Sequence, residues 1–523
     1  MKKMKHLQQF VQTLALYFSR AYAVLNHIRF LSTLDATVFT LLIPPDHLLV
    51  RINKKLDFQF VNALCHPYYK NSPVGKQPIE PVKLFKMLLL LVFYGLLSER
   101  ELVRQVQVNV AFRYFCGFSL WDTIPDHSTF TVFRKRIGNQ TFKAIFVHIL
   151  EKCIAAGLVT NEMYLFDTTL VRAHSRKIPP PQQATQLYCA VVKLLFGEDE
   201  LPTPAEQEAL AVACAEKVGY TSEKRVTHIL THAPEVKLDE LVQSSDHLLA
   251  LAVTQKPERT HILTKRTKLG DFITQVFGRI PHAVRDTSCR LISQGKTALA
   301  GYLLSLGVDL KQLVITVFDL DAADVQGQEK YLPLYEEHCA RTKRCQHPKP
   351  RKASADSAFD IDITIRQRLE AEGVDCNIPL RRIGTNTGLF SPAEFQLKDD
   401  QTLVCPAGKE LKTFRHDETR QLTFFKTGAC PLCPRKAECT TAKYRTVSIN
   451  IDAHRLRQRA RAHNQTDAYK SALLERLQIE GAFGWGKAFH HLERAYYFDK
   501  EQTYNQAALF ATAYNIVKLV LHS

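Results

Sequence analysis

Hydrophobic and polar positions first follow a helical rhythm. The stretch from Glu80 to Leu97 is rich in Leu and Lys, both good helix formers, and predicts a helix. Ser98 is placed to cap a second helix, Glu99 to about Val108, with Glu101 as its capping-box partner. A third segment, Ala111 to Phe118, is aromatic and apolar. Ser128 is placed as the N-cap of Thr129–Ile137, whose last turn holds Arg134, Lys135 and Arg136, where cations suit the helix dipole. Residues 1–150 are therefore expected to form an all-α N-terminal domain. At Met163 the pattern changes. A short apolar run ends in Asp167, which predicts a buried strand delivering a carboxylate at or near its end. Leu313–Phe318 predicts another strand. Between them, residues 176–310 hold helical stretches broken by Pro and Gly and read as a mainly helical insertion. Tyr331–Ala340 and Asp360–Glu372 read as helices and Cys376–Arg382 as a strand. Residues 384–450 are polar and turn-rich, and helical patterns return over Asp467–Tyr497 and Gln506–Leu521. Residues 160–523 are thus expected to form an α/β core interrupted twice, by 176–310 and by 384–450.

Composition narrows the function. The chain has 523 residues, 46% apolar and 23% charged, which excludes wholesale disorder. The longest apolar run, Met87–Leu97, is 11 residues, short of the ~20 that span a bilayer, so no membrane partner is expected. The net charge of +17 points to a polyanion, most often nucleic acid. Short helices carrying Arg100, Arg104, Arg134, Lys135 and Arg136 fit a small DNA-binding domain; a helical packing or dimerisation domain is the open alternative. Thirteen cysteines, mostly scattered, do not form a disulfide framework. Gln8, Gln9, Gln12, Arg20 and His27 interrupt the N-terminal apolar stretch, against a signal peptide. A reducing, cytoplasmic, nucleoid-associated setting is expected.

The candidate chemistry lies in Arg476–Lys487. On one helix, taking Arg476 as zero, Glu480 falls near ~40° and Lys487 near ~20°, so a carboxylate stands between two cations on one face. Leu473, Leu477 and Phe483 are expected to pack toward a core. Gly481, Gly484 and Gly486 each weaken a helix by up to ~1 kcal/mol, a cost easier to understand where a backbone or ligand comes close. A solvated face with an Arg–Glu pair is the plainer alternative.

These residues resemble the signature of DDE-type transposases of bacterial insertion sequences, Tyr-x-x-Arg-x-x-x-Glu-x-x-x-x-x-x-Lys, at Arg476, Glu480 and Lys487; Leu473 stands at the Tyr position. Ile479–Gly484, Phe166-Asp167-Thr168-Thr169 and Ala355–Asp360 are similar to that family's phrases for its three acids, with Ala358 and Phe359 where Gly and Tyr are usual. Pro78–Gly138 resembles the family's helical N-terminal domain. The resemblance implies a ribonuclease-H-like fold, with the first acid on the first strand, the second after the fourth and the third on a late helix. It implies Asp167, Asp356 and Glu480 as catalytic ligands of two Mg²⁺ (or Mn²⁺) ions, Asp167 being shared. It implies Arg476 and Lys487 on phosphates, DNA as partner (terminal inverted repeats and target), and a homodimer on paired ends. A metal-dependent nuclease without strand transfer and an inactive DNA-binding relic are the alternatives. Asp319, Asp321, Asp324 and Asp360 compete with Asp356. Trp485 is a candidate for stacking on an unpaired base or for the core.

Cys405, Cys430, Cys433 and Cys439 include one C-x-x-C pair and read as a structural Zn²⁺ site or as free thiols. His338, Cys339, Cys345 and His347 have ligand chemistry without a familiar spacing and read as an exposed basic loop.

Overall fold

A computed structural model describes residues 33–69, 78–175, 285–294, 297–381 and 389–522, with 178, 186, 189, 190 and 203–205. The N-terminal helices are α1 (Thr33–Leu42), α2 (Leu48–Lys55), α3 (Gln59–Cys65), α4 (Pro81–Phe93), α5 (Glu99–Val108), α6 (Val110–Cys116) and α7 (Ser128–Ala155). α4 is their centre, with Val82, Leu84, Phe85 and every residue from Met87 to Val92 buried. Ser98 caps α5, accepting the Glu101 N–H at 3.2 Å. Asn109 caps α6, and Gly117, at φ 77°, ends it in the left-handed region. α7 departs from expectation at both ends. Asp126, not Ser128, supplies the capping oxygen, accepting the Ser128 N–H at 2.9 Å. Ile137 is not the end but a joint: Gly138 has φ 67°, and a second helical stretch continues to Ala155.

The central sheet has strands β1 (Met163–Arg172), β2 (Arg290–Gln294), β3 (Thr297–Asp309), β4 (Val314–Ala322), β5 (Lys352–Ser354) and β6 (Asp375–Cys376). β4, β3 and β1 are successively antiparallel, while β5 joins β1 and β6 joins β5 in parallel. β2 lies along the first part of β3. α8 (Gly327–Arg344) connects β4 to β5, and α9 (Ile363–Ala371) connects β5 to β6, as parallel pairing requires. Two expectations are corrected here. Residues 290–294 and 297–309 are sheet, not the end of a helical insertion; most of 176–284 lies outside the described residues. Gly307 reads as a breaker in the sequence, yet a Cβ there would come within 2.5 Å of the Tyr164 Oη, so packing against β1 demands the glycine. Of the expected strand Cys376–Arg382 only Cys376 is in a strand, the two-residue β6, and Arg382 lies outside the described residues.

Residues 384–450 are not merely turns. They contain an antiparallel sheet of β7 (Gln396–Asp399), β8 (Thr402–Val404), β9 (Glu410–Asp417), β10 (Leu422–Lys426) and β11 (Thr446–Ile449), with a short helix α10 (Lys436–Cys439) before β11. Phe395, Leu403, Leu411, Phe425, Val447 and Ile449 form its core. α11 (Ile451–His463), α12 (Asp467–Arg476), α13 (Ile479–His490) and α14 (Lys500–His522) complete the chain.

One face of the central sheet (Leu165, Leu304, Leu306, Phe318, Leu320) shares a single apolar core with α4, α7, α13 and α14. The other face packs Tyr164 and Phe166 against Tyr331 and Tyr335 of α8. Asn515 of α14 acts as a neighbouring strand toward β4: its Oδ1 accepts the Ile315 N–H at 3.0 Å and its Nδ2 donates to the Ile315 carbonyl at 2.7 Å. No helix among the described residues is long and apolar enough to cross a membrane.

Candidate active site

Asp167 lies in the middle of β1, five residues before its end, rather than at its terminus. The buried run Met163–Phe166 precedes it, and its Oδ1 accepts the Thr168 N–H at 2.7 Å. β1 and β5 pair with Leu165 opposite Ser354. Asp167 and Asp356 each lie two residues past that pair, and the charge of Asp356 acts on Asp167. β5 is only three residues long because the basic stretch before it cannot extend a buried strand. Asp356 then turns the chain, its Oδ1 accepting the Ala358 N–H at 2.8 Å at the start of a 3-10 turn over Ser357–Ile361. Phe359, at the family's usual Tyr position, packs edge-on against Phe166 at 5.2 Å and pins the two acid-bearing segments together.

The Arg476–Glu480 segment is not one helix. α12 ends at Arg476 and α13 begins at Ile479, joined by three-residue hydrogen bonds such as Leu477 N–H to the Leu474 carbonyl (3.2 Å) and Glu480 N–H to the Leu477 carbonyl (3.1 Å). Ala472, Ile479, Ala482 and Phe483 are buried, whereas Leu477 is exposed, contrary to expectation, because the joint turns it outward. α12 packs on β5 and α13 on β1, so the joint crosses the strands carrying the two aspartates. Electrostatics tie the four groups together. Burial pushes the Asp167 carboxyl up to about 6; the Thr168 N–H opposes this, Asp356 reinforces it, Arg476 opposes it and Glu480 reinforces it. Leu473 is half-buried, and Tyr469, one turn earlier, is buried, its phenol pushed up by burial and pulled down by cations that include Arg476.

Glu480, Gly484 and Lys487 share one exposed face of α13. A Cβ at Gly481 or Gly484 would meet nothing within 4 Å, so this face is smooth and open. Gly486 has another reason: a Cβ there would lie 2.7 Å from both Leu492 Cδ2 and Phe510 Cε2. Trp485 is half-buried against Phe510, Tyr514 and His490, the last at 3.6 Å between ring centroids. That is the core role, not an open stacking surface.

The rival acids have partners. Lys330 pairs with Asp319 (3.1 Å) and Asp321 (2.5 Å), and Lys500 adds a second cation to Asp321 (3.1 Å). Asp360 is 2% exposed and bound to Arg366 at 2.7 Å. Asp324 is exposed.

Among the N-terminal cations, Arg100, Arg104, Lys135 and Arg136 are exposed. Arg134 is not available to DNA: it is 3% exposed, ion-paired with Glu99, donating to Gln502 Oε1 at 2.7 Å and stacked 4.1 Å from the Tyr497 ring centroid. Its partners come from α5, α14 and the segment just before α14, which the local sequence does not reveal.

Cys405, Cys430, Cys433 and Cys439 line one cavity of about 30 Å³. The Lys409 N–H donates to Cys405 Sγ at 3.3 Å and the Arg445 N–H to Cys430 Sγ at 3.4 Å. Burial pushes the Cys439 thiol up, Arg445 opposes this, and the other three cysteines add to it. Among the described residues, no three His, Cys, Asp or Glu side chains are gathered tightly enough to hold a metal ion as they stand. The His338–His347 cluster is not an exposed loop. His338 and Cys339 lie on α8, and His338 is fully buried, its Nδ1 2.8 Å from Thr316 Oγ1 and its ring pushed down to about 3 by burial.

The structure thus sets Asp167 in a mixed sheet beside a cation-flanked helix, with a helical N-terminal region packed on the same core. Residues 38–136 match the Transposase domain (DUF772), and residues 404–520 match the Transposase DDE domain. Two separate parts of the chain are thus similar to transposase domains, which agrees with the resemblance its motifs carry. The second match contains Arg476, Glu480, Lys487 and the four clustered cysteines; Asp167 and Asp356 lie outside both. No curated protein and no solved structure matches the chain.

Proposed function

We propose that the chain is a DNA transposase that binds terminal inverted repeats, hydrolyses a phosphodiester at the transposon end and uses the freed 3′-hydroxyl to attack target DNA. The single observation that supports this is the parallel pairing of β1 with β5, which puts Asp167 and Asp356 each two residues past one pair, with Asp356 and Glu480 in electrostatic reach of Asp167. The strand order β4-β3-β1-β5-β6, three antiparallel strands followed by two parallel ones, supports a ribonuclease-H-like core.

The donor set fits divalent cations. Burial, with Asp356 and Glu480 in electrostatic reach, holds Asp167 above the ordinary carboxylate range, a strain that a cation relieves. Asp167, Asp356 and Glu480 would hold two Mg²⁺ or Mn²⁺ ions, which supply positive charge for the attacking and leaving oxygens of an in-line displacement. The chain's own contribution is positioning. Arg476 and Lys487 grip phosphates beside the cut, and the bare face at Gly481 and Gly484 lets the DNA backbone lie close to α13. Arg100, Arg104, Lys135 and Arg136 offer phosphate contacts on the N-terminal helices. Work on paired ends calls for a homodimer. A structural Zn²⁺ on Cys405, Cys430, Cys433 and Cys439 fits a cavity whose backbone N–H groups already point at two of the sulfurs.

The test is end cleavage by wild type and by Asp167→Ala, Asp356→Ala and Glu480→Ala. Each variant should keep end binding and lose Mg²⁺-dependent cleavage, and wild type should yield products joined to target DNA. Undiminished cleavage in all three variants would remove the site assignment. Cleavage without joining would leave a nuclease, and tight end binding without wild-type cleavage an inactive relic.

A further inference from the structure

The outward face of the antiparallel sheet in residues 396–449 carries features that neither its core nor the cleavage site uses. Leu411, Thr413, Phe425, Val447 and Ile449 point inward, so period-two alternation sends their neighbours out. β9 and β10 pair Lys412 with Lys426 and Arg415 with Phe424, and β11 places Thr446 beside Lys426 and Ser448 beside Phe424. A bulge between Phe424 and Phe425 leaves Phe414 as an extra residue on β9. Phe414 therefore joins Arg415 on the solvent side, 46% exposed and 6.4 Å from Phe424 between ring centroids.

Two features of this face are costly for folding alone. Lys412 and Lys426 are like charges directly across a strand pair, an arrangement that destabilises a sheet. Phe414 is left in water and Phe424 only half-covered, where Thr446 and Ser448 show that small polar residues suffice. The cations already lie over the rings, Lys426 at 4.5 Å from the Phe414 centroid and Arg415 at 5.1 Å from that of Phe424. The face does hold carboxylates: Glu410 meets Lys398 (2.7 Å) and Lys412 (3.5 Å), and Asp417 meets Arg415 (3.8 Å). Lys426 has no carboxylate partner among the described residues. Rings alternating with cations on a flat sheet match one polyanion in particular, a strand whose bases are unpaired and free to stack.

We propose that this outward face binds an unpaired DNA strand, with bases stacked on Phe414 and Phe424 and phosphates met by Lys412, Arg415 and Lys426. The platform is a binding site separate from the three carboxylates, and its occupancy needs no cleavage. It serves a step at which the duplex at a DNA end is opened.

The experiment measures fluorescence anisotropy of a labelled 20-nucleotide single strand and of the corresponding duplex. The full chain is titrated without added divalent metal, so that a failure here says nothing about cleavage. Phe414→Ala/Phe424→Ala should weaken single-strand binding by roughly tenfold or more, leave duplex affinity within about twofold, and keep the wild-type melting temperature. Phe414→Tyr/Phe424→Tyr should restore the single-strand affinity. Lys412→Gln/Lys426→Gln should reduce the slope of log affinity against log salt by about 1.4 on the single strand, and it tests the face independently should the ring variant fold poorly. Unchanged single-strand affinity in both double variants overturns the proposal. Equal loss on single strand and duplex also overturns it. So does a shift from dimer to monomer with single-strand affinity intact, which would mark the face as a contact between copies of the chain.

Discussion

Asp167, within β1, and Asp356, just beyond the end of β5, each lie two residues past the paired Leu165 and Ser354 of these parallel neighbours. Their separation in sequence is bridged by the shortest element of the central sheet's middle, the three-residue β5, and locked by Phe166 against Phe359. Burial of Asp167 disfavours its charge, and the charges of Asp356 and Glu480 add to that unless a cation or a proton intervenes.

The apo protein should therefore be strained by its own site. The folded state holds the Asp167 proton up to about pH 6, against an ordinary value of 3.8. Between those values the folded chain binds a proton that the unfolded chain has lost, so stability falls as pH rises through that window and stays low above it. Asp167→Asn should stabilise the fold at pH 7.5 without divalent metal by on the order of 2 kcal/mol after solvent screening, read as a higher melting temperature. The gain should vanish near pH 4, where wild type is protonated as well. Added Mn²⁺ should raise wild type and leave the variant nearly unmoved. A variant that melts lower than wild type at pH 7.5 would show that Asp167 is compensated after all.

Arg134 and its neighbours Lys135 and Arg136 should separate cleanly. Arg134 is one half of a buried ion pair with Glu99, supported by Gln502 and Tyr497. Arg134→Ala leaves Glu99 buried without its partner and should cost about 3–5 kcal/mol of stability. Lys135→Ala/Arg136→Ala should leave the melting temperature within a degree or two and lower the salt dependence of duplex binding by up to about 1.8 in slope. Equal melting of all these variants would contradict the buried pair.

That contrast shows which parts of the chain its sequence makes legible. Phe166-Asp167 and the Arg476–Lys487 segment can be read because their chemistry is local: acid, cation and helix breaker fall within a dozen residues. Arg134 looks like its neighbours in sequence, since the groups that bury it lie 35 and 368 residues away. β3 is hidden by its glycines, which read as breakers until Tyr164 is seen to need the space beside Gly307. The helical joint at Leu477–Gln478 is hidden as well, because three-residue bonds there shift the phase that a continuous helix would keep. The small sheet could have been read from the alternation of Leu411 and Thr413 with Lys412 and Phe414, a signal obscured by the surrounding turn residues.

The clustered thiols make a prediction about metal content. Protein prepared under reducing conditions should contain one equivalent of zinc per chain by elemental analysis, and Cys430→Ser/Cys433→Ser should lose it. Chelation should lower the melting of the small sheet, whose core residues Leu403 and Phe425 lie in the same unit as the cysteines. Because a four-thiolate site is closed, the double variant should keep measurable Mg²⁺-dependent cleavage at temperatures where it stays folded. Wild type free of zinc, with unchanged melting in chelator, would assign the four cysteines as free thiols.

The glycines of α13 give a test in which neighbouring substitutions carry opposite signs. At Gly486 an added methyl group meets Leu492 and Phe510 at 2.7 Å, on the side where α13 packs against α14. Both contacts are apolar side chains in a filled core, so Gly486→Ala should destabilise by about 1–3 kcal/mol through overpacking, despite the better helix propensity of Ala. At Gly484 the methyl meets nothing within 4 Å, and propensity alone should stabilise the helix by up to ~1 kcal/mol. Gly484 nevertheless shares its face with Glu480 and Lys487. If DNA lies along that face, the same methyl that stabilises the free protein obstructs the backbone and should lower cleavage several-fold without loss of folding. Thermal melting and end cleavage, measured on both variants, separate the two roles. A Gly484→Ala variant that is more stable and fully active would leave the open face of α13 without a DNA contact. A Gly486→Ala variant that melts like wild type would show that α13 and α14 are not pressed together at that point.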